Sequence, residues 1–175
     1  SLNEWRVQAS KLIREAFIDG LKPDVVFCPS FFEGFIDGAV TSIGLFSDIP
    51  VVATLHDLIP LIFKADYLSE ANGYDRFYLE KVDQLKRADA LLTISASSSS
   101  EAYSLLGFSD KSVINTSEAA DEKFRKQSIP VAEASSFLGR YGIQSSFLFY
   151  TGGADPRKNL RNLLVAFASL PAAIL

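Results

Sequence analysis

Apolar positions along the chain switch repeatedly between helical and strand spacing. Trp5, Val7, Leu12, Ile13, Ala16 and Phe17 recur at helical intervals before Gly20, and Pro23-Asp24 then opens the apolar run Val25 to Cys28, a predicted strand. A second strand is predicted over Pro50 to His56. Tyr74 to Arg87 repeats apolar residues at helical intervals and ends in Lys86-Arg87, cations suited to a helix C-terminus. The strand Ala90 to Ser95 follows, then a helix capped within Ser97 to Ser100 and a short strand at Val113 to Asn115. Strands that are apolar on both faces and separated by helices indicate a parallel sheet covered on both sides. The predicted fold class is therefore α/β, a Rossmann-like layer.

From Glu118 to Gly142 this rhythm loosens, with Pro130 and small residues through Ser136, and the segment reads as a connection between domains. Phe147 to Thr151 reads as a strand opening a second Rossmann-like domain, followed by a helix from about Arg157 to Leu170. The expected division is 1–140 for the first domain with its linker and 141–175 for the start of the second. A single βα unit cannot bury both its faces, so the second domain is expected to be incomplete. An incomplete domain in turn points to self-association or packing through its apolar strand.

Composition narrows the function classes. Of 175 residues, 48% are hydrophobic and 22% charged, which excludes a disordered chain, and no apolar run is long enough to cross a bilayer. The net charge of -4 argues against a general nucleic-acid binder and confines any basic site to a local patch. Cys28 is the single cysteine, set in an apolar run, so it reads as a buried strand thiol. With no visible signal peptide, a cytoplasmic setting is the default. The absence of methionine marks the chain as a processed or excised piece.

In ligand-binding parallel sheets the chemistry lies outside the carboxyl ends of the strands. Those ends are Pro29-Ser30, His56-Asp57, Ser95 and Gly152-Gly153. His56, the only histidine, is either a structural ring or a group that hydrogen-bonds a hydroxyl or a developing charge. Asp57 orients that ring or caps the following turn. One histidine and one cysteine disfavour a metal site. In the second domain, Gly152 and Gly153 let the backbone approach a ligand, while Pro156 presets a first helical turn. Arg157 and Lys158 add two cations beside the N–H groups of a helix start, where an anion is favoured. The alternative is an ordinary turn with two solvated charges. Neither a GxGxxG fingerprint nor a P-loop is present, which lowers the dehydrogenase and nucleotide-hydrolase readings, and the serines of 97–100 lack a nucleophile elbow.

The order of motifs resembles the group 1 retaining glycosyltransferases of the family 4 type, which have two Rossmann-like domains in the GT-B arrangement. The resembling residues are Thr54-Leu-His-Asp-Leu-Ile-Pro60, Ala88-Asp-Ala-Leu-Leu-Thr-Ile-Ser95, Val113-Ile-Asn115 leading to Asp121-Glu-Lys-Phe124, and Tyr150-Thr-Gly-Gly-Ala-Asp-Pro-Arg-Lys-Asn-Leu160. They cover most of the chain from Pro23 onward. The resemblance implies transfer of a sugar from a nucleotide-diphosphate donor to a glycan or lipid-linked acceptor, with retention, without a bound metal and without a further cofactor. It implies that His56 stands near the transferring sugar and that Lys158 contacts the donor diphosphate, with Arg157 as a second cation. A departing nucleotide diphosphate gathers negative charge that fixed cations and N–H groups stabilise, which agrees with that assignment.

Pro29-Ser-Phe-Phe-Glu-Gly-Phe35 looks like the family's donor-binding segment, but it precedes His56, and Thr41 stands where the second carboxylate would be. It belongs to the acceptor-side domain, with Ser30 and Glu33 as acceptor or cleft candidates beside Asp57 and Ser95; a plain βα loop is the alternative. The resemblance places the donor-sugar carboxylates beyond Leu175 and the family's glycine-rich loop before Ser1, so the piece itself is expected to be inactive. Cytoplasmic work at the inner membrane face, with peripheral association and no membrane span, is compatible with this reading. The rival reading is a non-catalytic α/β module that binds a nucleotide or phosphorylated ligand.

Overall fold

Four short strands set the architecture of the computed structural model, which describes residues 4–171. They are β1 (Val26–Cys28), β2 (Val51–Leu55), β3 (Ala90–Thr93) and β4 (Val113–Asn115), all parallel and in the spatial order β1-β2-β3-β4. Val26 lies opposite Val51, Val52 opposite Ala90, and Leu91 opposite Val113. Each strand is apolar because parallel strands need a long crossover, and the crossover helices cover the sheet. In β2 the side chains of Val51, Ala53 and Leu55 are buried while those of Val52 and Thr54 are half-buried, the alternation expected of a pleated strand. The sheet belongs to the first of two compact units, residues 1–120 and 121–175.

The long helix between β2 and β3, α4 (Tyr74–Leu85), follows two single turns, α2 (Ile59–Ile62) and α3 (Lys64–Tyr67). Its Tyr78, Val82 and Leu85 are buried at spacings of four and three, so one stripe faces the core. That core joins Phe31, Ile43, Leu55, Leu58 and Leu91. Burying each such side chain contributes about 1.5–3 kcal/mol, which is how a sheet of three- to five-residue strands holds together. After β3 comes α5 (Ala96–Glu101), continued by a π-turn over Ala102–Leu106 that ends at Gly107. The expected cap within Ser97 to Ser100 is instead Ser95, whose hydroxyl accepts from the Ser98 N–H at 3.1 Å. The reason is geometric: the cap must sit in extended backbone just before the first helical residue, and Ser98 and Ser99 are already inside the helix and buried.

The first helix, α1 (Glu4–Leu21), inverts the expected pattern. Trp5, Leu12, Ile13, Phe17 and Leu21 are exposed, and Lys11 and Glu15 are buried. Glu15 accepts from the Phe46 N–H at 2.6 Å and the Leu45 N–H at 3.3 Å, and Arg14 donates to the Ser42 carbonyl at 3.0 Å. Lys11 pairs with Glu80 of α4. The loop over 42–46 has backbone groups that need partners, and the polar side of α1 supplies them.

The second unit holds α6 (Val131–Gly139), a 3₁₀ turn at Pro156–Lys158 and α7 (Leu160–Ala168). The segment read as a connection between domains contains a helix, begun after Pro130. The predicted strand at Phe147 to Thr151 does not form: Phe147, Leu148, Phe149 and Tyr150 are exposed and belong to no sheet. A strand exists only by pairing, and among the described residues of this unit there is no second strand.

Candidate functional site

The parallel arrangement brings four loop starts to one edge of the sheet. Pro29 and Ser30 follow β1, His56 and Asp57 follow β2, Ser95 lies just past β3, and Glu118 lies three residues past β4. The His56 ring spans this edge. Its Nε2 is 3.4 Å from the Pro29 carbonyl oxygen, and its Nδ1 is 3.8 Å from a carboxylate oxygen of Glu118. Both side chains are open to solvent, at 53% and 62% exposure, so a ligand can reach them. With the proton on Nε2 the ring donates to Pro29 and offers a lone pair at Nδ1; with the proton on Nδ1 the donor faces Glu118. A ring held this way can hydrogen-bond a hydroxyl in either sense.

The neighbours of His56 hold its loop. Asp57 closes a local turn just ahead of α2, its carboxylate accepting from the Ile59 N–H at 3.0 Å. Leu58 is fully buried, and its N–H donates to a Glu101 carboxylate oxygen at 2.7 Å. Glu101 thus ties the end of α5 to the residue two beyond His56. The Ser30 hydroxyl donates to Glu33 at 2.6 Å, which closes that loop start on itself. Ser95 spends its oxygen on the helix cap and lies 2.7 Å from the Ser98 hydroxyl. Sequence reasoning picked out His56, Asp57, Ser30, Glu33 and Ser95 but missed Glu101 and Glu118. Glu118 had one available signal, its place just beyond the last strand end of the sheet, and Glu101 had none at short range.

The glycine turn belongs to the second unit. Gly152 has φ +149°, and a Cβ there would lie 2.8 Å from the Tyr150 hydroxyl oxygen. That hydroxyl donates to the Gly153 carbonyl at 3.1 Å, so the turn is closed over by a tyrosine that glycine alone leaves room for. Asp155 caps the 3₁₀ turn, accepting from the Arg157 N–H at 2.8 Å. The same carboxylate receives the Arg157 guanidinium in a two-point contact, Nε to Oδ1 at 3.1 Å and Nη2 to Oδ2 at 3.2 Å. Asn159, in the left-handed region at φ 52°, separates this turn from α7, so the regular helix begins at Leu160 and not beside the two cations. Lys158 is exposed on the turn. Among the described residues no group of three or more His, Cys, Asp or Glu gathers as metal ligands, and no helix is long and apolar enough to cross a membrane.

A four-stranded parallel layer with its polar groups at the carboxyl edge accords with the family comparison. Residues 2–115, which contain the whole sheet, match the family model described as Glycosyltransferase Family 4. The chain belongs to glycosyltransferase family 4. Among curated proteins, three forms of the serotype-specific mannosyltransferase WbdA of Escherichia coli are each 33% identical to it over 174 residues, 98% of this chain. The family 4 chain spans only about a fifth of the length of these relatives, 20–21%. No solved structure matches it significantly.

Proposed function

We propose that the full-length protein carrying this chain transfers a sugar, mannose by analogy with its relatives, from a nucleotide-diphosphate donor to a glycan acceptor with retention of configuration. The observation that carries the proposal is the position of His56, presented at a strand end between the Pro29 carbonyl and Glu118 and open to a ligand. In this reading the sheet edge of the first unit is the acceptor side. His56 hydrogen-bonds a hydroxyl of the transferring sugar, and Glu101 fixes the loop that carries it. Lys158 holds the donor diphosphate, whose charge grows as the glycosidic bond to the sugar breaks. Arg157 contributes less, because its guanidinium is already matched to Asp155.

The test is steady-state transfer by the full-length protein from nucleoside-diphosphate mannose, compared with other nucleoside-diphosphate hexoses. His56→Ala should lower kcat about a hundredfold, the scale for loss of one transition-state hydrogen-bond donor, with thermal stability nearly unchanged. Unchanged kcat per folded molecule would return His56 to a structural role. Faster transfer from another hexose donor would overturn the mannosyl assignment.

A further inference from the structure

On the flank of the first unit, α1, the loop after β1 and the start of α4 enclose a groove of about 700 Å³. This lies within the range of pockets that bury small-molecule ligands. We propose that the groove binds an oligosaccharide, the part of an acceptor glycan that extends away from the reacting end. The inference rests on the sugar-transfer reading above and specifies its acceptor.

Three features of the walls favour a neutral glycan. The first is aromatic surface. Phe35 and Phe77 stand with ring centroids 5.4 Å apart in one wall, and Trp5, 83% exposed, stands in another. A pyranose ring has one face of C–H groups and a rim of hydroxyls, so it uses flat aromatic surface together with nearby donors and acceptors. The second is the polar complement. Gln8, Asn72 and Arg76 supply donors, while Gly38 and Gly73 leave backbone accessible. The third is charge. Lys11 is paired with Glu80, and Lys81 is buried with its ammonium donating to the Thr41 carbonyl at 3.0 Å and to the Thr41 hydroxyl. Glu4 and Glu80 add negative charge to the same walls. An anion would meet two carboxylates and two cations already engaged, with exposed Arg76 as the cation left to contact it.

The groove is also well formed before any ligand enters. Lys81 stacks its ammonium over the Phe31 and Phe77 rings at 5.0 and 5.4 Å while holding Thr41, and the Thr41 hydroxyl donates to the Phe31 carbonyl at 2.7 Å. At Gly34, φ +108°, the loop doubles back so tightly that a Cβ would lie 2.1 Å from the Ala39 carbonyl oxygen. A preset wall saves the ordering cost that a mobile loop would add to binding. The loop also joins the groove to the edge that carries His56. It begins at Pro29-Ser30, on that edge, and runs on into the groove wall at Gly34 to Thr41.

The experiment uses the full-length protein, a series of mannose oligosaccharides of increasing length, and the exposed variants Trp5→Ala and Arg76→Ala. Binding is read by calorimetric titration and by the tryptophan-fluorescence change that disappears in Trp5→Phe. Longer oligosaccharides should bind the wild type more tightly than short ones, and each alanine variant should lose about tenfold in affinity for the long ones. In transfer assays the same variants should raise KM for long acceptors while leaving kcat, and KM for the shortest acceptor, unchanged. Equal affinities for wild type and variants, or titration of inorganic phosphate but not of oligosaccharide into the groove, would overturn the proposal. Glycan binding that the variants weaken about tenfold, in a protein that transfers no sugar, would keep the groove and refute the transfer reading; transfer with variants indistinguishable from wild type on long acceptors would do the reverse.

Discussion

Replacement of Glu101 by alanine should loosen the loop that carries His56 without touching any group that faces a ligand. The Glu101 carboxylate accepts the Leu58 N–H at 2.7 Å, and Leu58 is fully buried, so the carboxylate satisfies a donor that the intact protein shields from water. A hydrogen bond to a charged partner is worth about 1.5–3 kcal/mol, and a buried donor left unmade costs about 1–3 kcal/mol, so the two descriptions give the same size of loss. The second oxygen of Glu101 is 3.5 Å from the Ser97 hydroxyl, a contact too long to add much. For a protein of this size the loss corresponds to a fall in Tm of roughly 3–12 °C. Glu101→Gln keeps an oxygen acceptor without the charge and should lose about half as much. Amide hydrogen exchange is the direct assay. The Leu58 N–H should lose protection in Glu101→Ala while amides in β2 and β3 keep theirs, because the opening is local. In the full-length enzyme kcat should fall with His56 still present. Unchanged Leu58 protection, or a loss spread evenly over the sheet, would refute a local clamp.

Lys81 gives a pH prediction. Burial, with Lys11 beside it, lowers its pKa from 10.5 to about 8, against opposing effects of Glu80 and Cys28. Between about pH 8 and 10.5 the unfolded chain therefore holds a proton that the native one has released, and this residue's contribution to stability rises with pH across that window. Below pH 8 both forms are protonated and the contribution is flat. Subtracting the stability–pH curve of Lys81→Met from that of wild type should isolate the rise, and a flat difference would contradict it. For the turn of the second unit, Lys158→Ala should weaken nucleoside-diphosphate binding to the full-length enzyme by about 1.5–3 kcal/mol by calorimetric titration. Arg157→Ala should weaken it less, since Asp155 already holds that guanidinium at two points, and the reverse order would exchange the two roles.

The sheet was legible in the sequence because its cause is local and repeated. Val51 to Leu55 and Ala90 to Thr93 are short apolar runs bounded by turns or helices, and such runs in alternation with helices have few ways to fold other than as a parallel layer. His56 was legible for the same reason, since the end of a predicted strand is a predicted place. What could not be read was anything decided by a partner distant along the chain. Glu101 meets Leu58 across 43 positions, and Glu118 meets His56 from beyond β4. The Phe147 to Tyr150 segment shows the converse failure. It has strand composition, but composition does not supply the neighbour that a strand requires, and the segment is unpaired.

The inverted burial of α1 follows from the same distinction and bears on the groove. Helical spacing of Trp5, Leu12, Ile13 and Phe17 is enough to predict a helix, because any stripe of that period does so. Which side faces inward depends on what the rest of the unit needs. Here the loop residues Ser42, Leu45 and Phe46 present backbone groups that Arg14 and Glu15 satisfy, and Lys11 reaches Glu80 on α4. The wall between α1 and α4 is therefore held by charge and hydrogen bonds, whereas the sheet beneath it is held by buried Leu55, Leu58, Leu85 and Leu91. Such contacts can be removed by substitution without touching the sheet. Glu15→Ala combined with Glu80→Ala should thus open the groove while β2 and β3 keep their amide protection, and loss of both together would show that α1 is held by something other than these pairs.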